Sequence, residues 1–235
     1  MKLKCPYCGS ENIAWIIWGS SNTSVAADVK YPVIFLEKPG TDESPTRQCR
    51  DCRRRFGRRR IYTFHGKKYM PDDVCMVEFQ IGGYFGGYNQ LVIRRMQGYS
   101  ALCVLHMPID RDSPLYIRKY GKKEWDALMN MLFNRLFIQE WKSEYDDNDI
   151  LDGTQWHLKI GFTDGKSRKI YGSNEYPALW KQLEKRFFRY IGEMRTKEAE
   201  PKDILEYYHL FGNEDYSGIW IREHIDELQC KNDAD

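Results

Sequence analysis

Four cysteines stand in two pairs, Cys5-Pro6-Tyr7-Cys8 and Cys49-Arg50-Asp51-Cys52. A Cys-x-x-Cys turn sets two sulfurs side by side, and two such turns supply the four soft ligands of a tetrahedral zinc ion. Cys5, Cys8, Cys49 and Cys52 would complete that ion's coordination, leaving no open position for a water or a substrate. The chemistry expected of the set is therefore structural, a staple contributing on the order of 10 kcal/mol to the folding of a short segment. A Cys-x-x-Cys pair alone is also a redox motif, but two pairs without a thioredoxin-like βαβ start argue for metal. Cys75, Cys103 and Cys230 are isolated, and Cys103, inside the apolar run 101–105, reads as core.

The second pair runs into Arg53, Arg54, Arg55, Arg58, Arg59 and Arg60, with Phe56, Tyr62 and Phe64 interleaved. Guanidinium forks match phosphate oxygens, and aromatic faces stack on bases. In one extended strand over 58–64, Arg58 and Arg60 would share a face with Tyr62. These six arginines and Tyr62 are the candidate nucleic-acid contacts. The competing reading is a solvated charged strand, or arginines paired with the acidic residues 146–152. Residues 1–75 carry 14 Lys and Arg against 8 Asp and Glu, a balance of +6, while the whole chain stands at only +2. Such local excess attracts polyanions.

Cys5-Pro6-Tyr7-Cys8-Gly9-Ser10 together with Cys49-Arg50-Asp51-Cys52-Arg53-Arg54-Arg55-Phe56 resembles the zinc ribbons at the front of many insertion-sequence transposases and transcription-associated proteins, with their CPxCGS and CxxCxxxF patterns. The resemblance covers about the first quarter of the chain and implies zinc binding and nucleic-acid contact. The forty residues between the two pairs depart from compact ribbons, and a long hairpin arm is expected there. Asp152-Gly153-Thr154-Gln155-Trp156 and Gly172-Ser173-Asn174-Glu175-Tyr176-Pro177, with the glycines of 82–87, are similar to a domain of uncharacterised bacterial proteins over residues 75–192. That second resemblance implies no activity.

The elements that must position these residues follow from hydrophobic periodicity. Ile13–Trp18, Tyr31–Leu36 and Arg58–Phe64 read as strands of the ribbon. Val77, Phe79 and Ile81 alternate with Glu78 and Gln80, as in a half-buried strand; 91–96 and 99–107 follow, the latter apolar on both faces and expected near the sheet centre. Trp156, Leu158, Ile160 and Phe162 alternate strictly, and 167–171 returns as their partner after Thr163-Asp164-Gly165-Lys166. Lys123–Trp141 has one apolar stripe at spacings of three and four and reads as a single helix. A second helix is expected from Pro177, with Leu179, Leu183, Phe187 and Ile191 inward and Ser173 or Asn174 capping. The fold class is α+β: a zinc ribbon over 1–70, then over 74–195 an antiparallel sheet with helices on one face, then a charged helical tail over 196–235.

Composition excludes a membrane span and a cleaved signal segment, so a cytoplasmic, reducing location is expected. No phosphate loop, metalloprotease or nucleophile-elbow motif is present. The leading reading is a non-enzymatic binding protein with structural Zn2+, contacting DNA or RNA through its arginines. The alternative is a protein-interaction adaptor, stapled by zinc and binding a protein partner through Tyr84, Phe85 and Tyr88. A weaker alternative is a hydrolase or nuclease using Asp152, His157 and Glu175, with Asn174 and His106 as further polar candidates.

Overall fold

Alternating residues build the larger sheet. In β7 (Val74–Gly83), Val77, Phe79 and Ile81 are buried in the main core, and β12 (Gln155–Phe162) pairs antiparallel with it so that Trp156, Leu158 and Ile160 meet them side by side. Period-two alternation forces this matching, since a slip of one residue would turn every apolar side chain to the other face. The computed structural model describes residues 2–19, 32–41, 43–83, 86–107, 116–147 and 153–194. The tail beyond 194, the 108–115 segment, Tyr84, Phe85 and Asp152 lie outside them, as do the side chains of Cys103 and His106.

Around β7 and β12 stand β8 (Gly87–Arg95), β9 (Tyr99–Met107), β10 (Tyr116–Gly121), β11 (Glu144–Asp146) and β13 (Ser167–Ser173). Their order is β10-β9-β8-β7-β12-β13-β11, antiparallel except for the β11–β13 pair. β9 is paired on both sides, but the centre of the sheet is β7. The glycine-rich stretch is the β7–β8 turn: Gly82 lies so close to the Gly87 carbonyl and Tyr88 that a Cβ there has no room.

The expected single helix over 123–141 is broken into three. α1 (Lys122–Asn130) ends in a π turn over Met131–Arg135, with the Leu136 N–H donating to the Met131 carbonyl at 2.9 Å. Phe137 then takes a left-handed backbone (φ 52°, ψ 49°), and Ile138–Glu140 forms one 3-10 turn. The physical reason is packing: Phe133 and Leu136 belong to the main core, whereas the Phe137 ring enters the core of the ribbon. A regular helix would keep all three on one stripe. α2 (Trp180–Met194) starts three residues after Pro177, and Leu179, Leu183, Phe187 and Ile191 are buried as expected. Phe79 meets Phe187 at 4.5 Å and Trp180 at 5.8 Å between ring centroids. α1 and α2 thus contribute to one core cluster with the sheet.

The smaller sheet has the order β2-β1-β3-β4, from β1 (Ile13–Trp18), β2 (Val33–Leu36), β3 (Arg47–Cys49) and β4 (Arg55–Phe56). β1 pairs antiparallel with β3 but parallel with β2. The expected hairpin arm is therefore a parallel edge strand, which needs a crossover rather than a tight turn. A strand over 58–64 is not formed either: β4 ends at Phe56, and β5 (Tyr62–Phe64) pairs only with β6 (Lys67–Tyr69). Residues 58–61 are irregular because Arg58 and Ile61 bond to the larger domain.

Candidate metal centre and basic surface

The two cysteine turns are built alike. The Cys5 N–H donates to the Ser10 carbonyl at 2.8 Å, and the Cys49 N–H donates to the Arg54 carbonyl at 3.0 Å, five residues on in each case. The residue after each second cysteine is left-handed: Gly9 at φ 75° and Arg53 at φ 61°. Asp51 laces the turns together, accepting from Ser10 Oγ at 2.5 Å and Asn12 Nδ2 at 2.6 Å, and those bonds hold its carboxyl below the usual range.

All four sulfurs lie within 4.8 Å of one another, with 3.7 Å between Cys5 and Cys52 and between Cys8 and Cys49. Metal–sulfur bonds of about 2.3 Å in a tetrahedron imply sulfurs about 3.8 Å apart, so the donor set fits a tetrahedral thiophilic ion. Burial pushes the Cys5 thiol well up. At Cys49 burial acts the same way but is outweighed by N–H groups of Cys52 and Asp51, and the thiol falls below its ordinary value. Chain turns that aim N–H groups at sulfur favour the thiolate form that a metal requires. Beneath the site, Phe56 and Ile13 are buried against Phe137, with the Phe56 and Phe137 rings edge to face at 4.8 Å.

The six arginines divide into two groups. Arg53, Arg54, Arg55 and Arg59 are exposed. Arg54 lies over the Tyr7 ring at 4.9 Å, and Arg55 Nε donates to Gln48 Oε1 at 3.2 Å. Arg58 instead pairs with Glu140 at 2.9 Å, and Arg60 with Glu43 at 3.4 Å. Glu140, almost buried, also accepts from Tyr7 Oη at 2.9 Å and from the Gly57 N–H at 3.1 Å. The acidic partner of Arg58 is thus Glu140, a residue upstream of the acidic run. Tyr62 is half-buried, with its ring in the stack formed with Tyr69, Phe162 and Phe64.

Gly153 and Thr154 meet Asn174 at one end of the sheet. Asn174, left-handed at φ 58°, accepts the Thr154 N–H at 2.8 Å through its side chain, and a Cβ on Gly153 would strike it. Glu175 accepts the Asp146 N–H at 3.1 Å, and its carbonyl accepts the Trp156 indole N–H at 3.0 Å. His157 Nε2 is 2.8 Å from Glu78 Oε1, which also accepts from Gln90 Nε2 at 3.1 Å; Lys159 Nζ is 3.4 Å from the other oxygen. Burial raises the Glu78 pKa, but His157, Lys159 and Gln90 outweigh it and hold the carboxyl below its ordinary range.

Sequence reasoning missed Arg168 and Glu140. Arg168 falls in the expected partner strand 167–171 but was not singled out; it is 6 % exposed, and its guanidinium donates to the carbonyls of Ile61 (3.3 Å), Ile138 (3.0 Å) and Trp141 (2.7 Å). Alternation puts Arg168 on the face of Ile170, but only the pairing register decides whether that face is turned inward. Among the described residues no helix is long and apolar enough to cross a membrane. No known family model matches the chain, and no curated protein or solved structure is significantly similar to it.

Proposed function

We propose that this is a non-enzymatic nucleic-acid-binding protein whose ribbon is held by one structural Zn2+. The four-thiolate set supports zinc, because such a site is closed and its ion neither reacts nor exchanges ligands with substrate. The observation that carries the nucleic-acid reading is the exposed triplet Arg53, Arg54 and Arg55 beside the second cysteine turn. The zinc turn fixes the triplet's backbone, and Tyr7 and Gln48 fix two of its side chains. Preorganised guanidinium groups lose less entropy on meeting phosphate. The shared core cluster of α1, α2 and the sheet supports both helices lying on one face, with the ribbon docked at the end of α1.

The test is a salt series of single-strand binding by wild type and an Arg53/Arg54/Arg55→Ala variant, with zinc content measured in both. Each protein is expected to hold one zinc per chain. The variant's log–log salt slope should be shallower by about 2, for three lost phosphate contacts. An unchanged affinity and slope in a zinc-loaded variant would sink the reading.

A further inference from the structure

Arg168 is a buried cation whose guanidinium is held by carbonyl oxygens. Among the described residues no carboxylate pairs with it; the three carbonyls that accept from it supply dipoles but no charge. An arginine side chain stays protonated in proteins, so its charge must be met where it stands. Burial pulls its pKa below the ordinary guanidinium value, and the nearby Tyr145, Tyr62 and Glu140 offset this only in part. Buried charges are costly unless paired, and three carbonyls do not complete the compensation.

Arg168 does not sit in a sealed core. It forms part of the wall of a cleft of about 380 Å3, shared with Arg58, Arg60, Tyr62, Thr63, Ser143 and the carboxylate of Glu140. The carboxylates nearby are already matched. Glu140 is spent on Arg58, and Glu43 is shared by Arg60 and Lys68. Three arginines against the one carboxylate leave the cleft lining with net positive charge, and Tyr62, Thr63 and Ser143 add hydroxyl groups to it.

We infer that this cleft binds a phosphomonoester, with Arg168 and Arg60 meeting the phosphoryl oxygens. This deepens the nucleic-acid reading and rests on it where the phosphate is a strand end. The second source with the same chemistry is a free nucleotide. Arg168 also has the structural duty of tying residue 61 to residues 138 and 141, and Arg60 has none of that duty.

The experiment is calorimetric titration of the full, zinc-loaded chain with inorganic phosphate, adenosine monophosphate, and matched oligonucleotides carrying a 5′-phosphate or a 5′-hydroxyl. Wild type should bind phosphate, and Arg168→Lys should bind it about tenfold more weakly through loss of the planar fork. If Arg168→Lys fails to fold, Arg60→Gln keeps the test open, with an expected weakening of about threefold or more. Tighter binding of the 5′-phosphorylated strand than of its hydroxyl twin assigns the strand end; equal binding of the two strands with competition by adenosine monophosphate assigns the free nucleotide. Absence of phosphate binding by wild type, or affinity untouched in Arg60→Gln and in a folded Arg168→Lys, overturns the inference. Strand binding that persists unaffected by free phosphate or by the 5′ group would overturn it while leaving the Arg53–Arg55 surface standing.

Discussion

Gly9 and Arg53 occupy equivalent places in two similar turns, and only one of them is built for the backbone it adopts. A left-handed conformation costs a non-glycine residue about 1 kcal/mol or more. Arg53→Gly should therefore stabilise the ribbon by about 1 kcal/mol while weakening strand binding, and Gly9→Ala should destabilise it by a similar amount. Chelator midpoints of the three proteins check this, and an Arg53→Gly ribbon that gives up its metal more readily would show the turns are not equivalent. Glu78 gives a pH expectation. Its folded pKa lies below the ordinary value because His157, Lys159 and Gln90 together outweigh burial. A carboxyl of that kind contributes stability above its unfolded pKa and loses it as pH falls through the folded pKa. Between about pH 5 and the acid transition, stability should fall in wild type and fall less steeply in Glu78→Gln. Denaturation midpoints across that window measure the difference, and parallel curves would refute it.

At the scale of elements, the departure from helix at residues 131–140 is where two cores are joined. Main-core packing claims Phe133 and Leu136, ribbon packing claims Phe137, and the chain meets both by a π turn and one left-handed residue. Truncating Phe137 to Ala should remove about 3 kcal/mol or more from the ribbon and little from the sheet. Hydrogen exchange resolves the two: amides of β1 and β3 should lose protection while those of β7 and β12 keep theirs. Uniform loss would mean that the cores do not separate. The elements legible in the sequence are those with unbroken periodicity, β7, β12 and the inner stripe of α2. The short edge strands β10 and β11 carry no such pattern and are held by their neighbours' open hydrogen-bonding edges. The clustering of the four cysteines was legible from spacing alone. Arg168 was not, because whether a charged residue next to a turn faces water or core depends on the register of the pairing, which the Thr163–Lys166 turn leaves open.

For the whole molecule, the ribbon is small and, among the described residues, its buried set is short: Ile13, Ala14, Ile16, Phe56, Phe137, Cys5 and Cys49. A core of that size does not support a fold without a staple. Stripping the metal should unfold residues 2–56 and leave the seven-stranded sheet folded, seen as a partial loss of far-ultraviolet signal with one metal released per chain. A ribbon that keeps its exchange protection after chelation would contradict this. The larger core gathers side chains from β7, β8, β12, β13, α1 and α2, which is why it is expected to survive alone.

The strip from Leu136 to Trp141 serves two masters. Phe137 and Glu140 hold the ribbon through Phe56, Tyr7, Gly57 and Arg58, while Ile138 and Trp141 hold Arg168 through their carbonyls. Metal and anion would thus act on one short segment from opposite sides. Thermodynamic linkage makes such an influence mutual: if phosphate tightens the strip and raises metal affinity by some factor, metal raises phosphate affinity by the same factor. Resistance to a chelator would then become an assay for the anion, and a bound metal ion, chemically inert as it is, would become an effector of what the cleft retains.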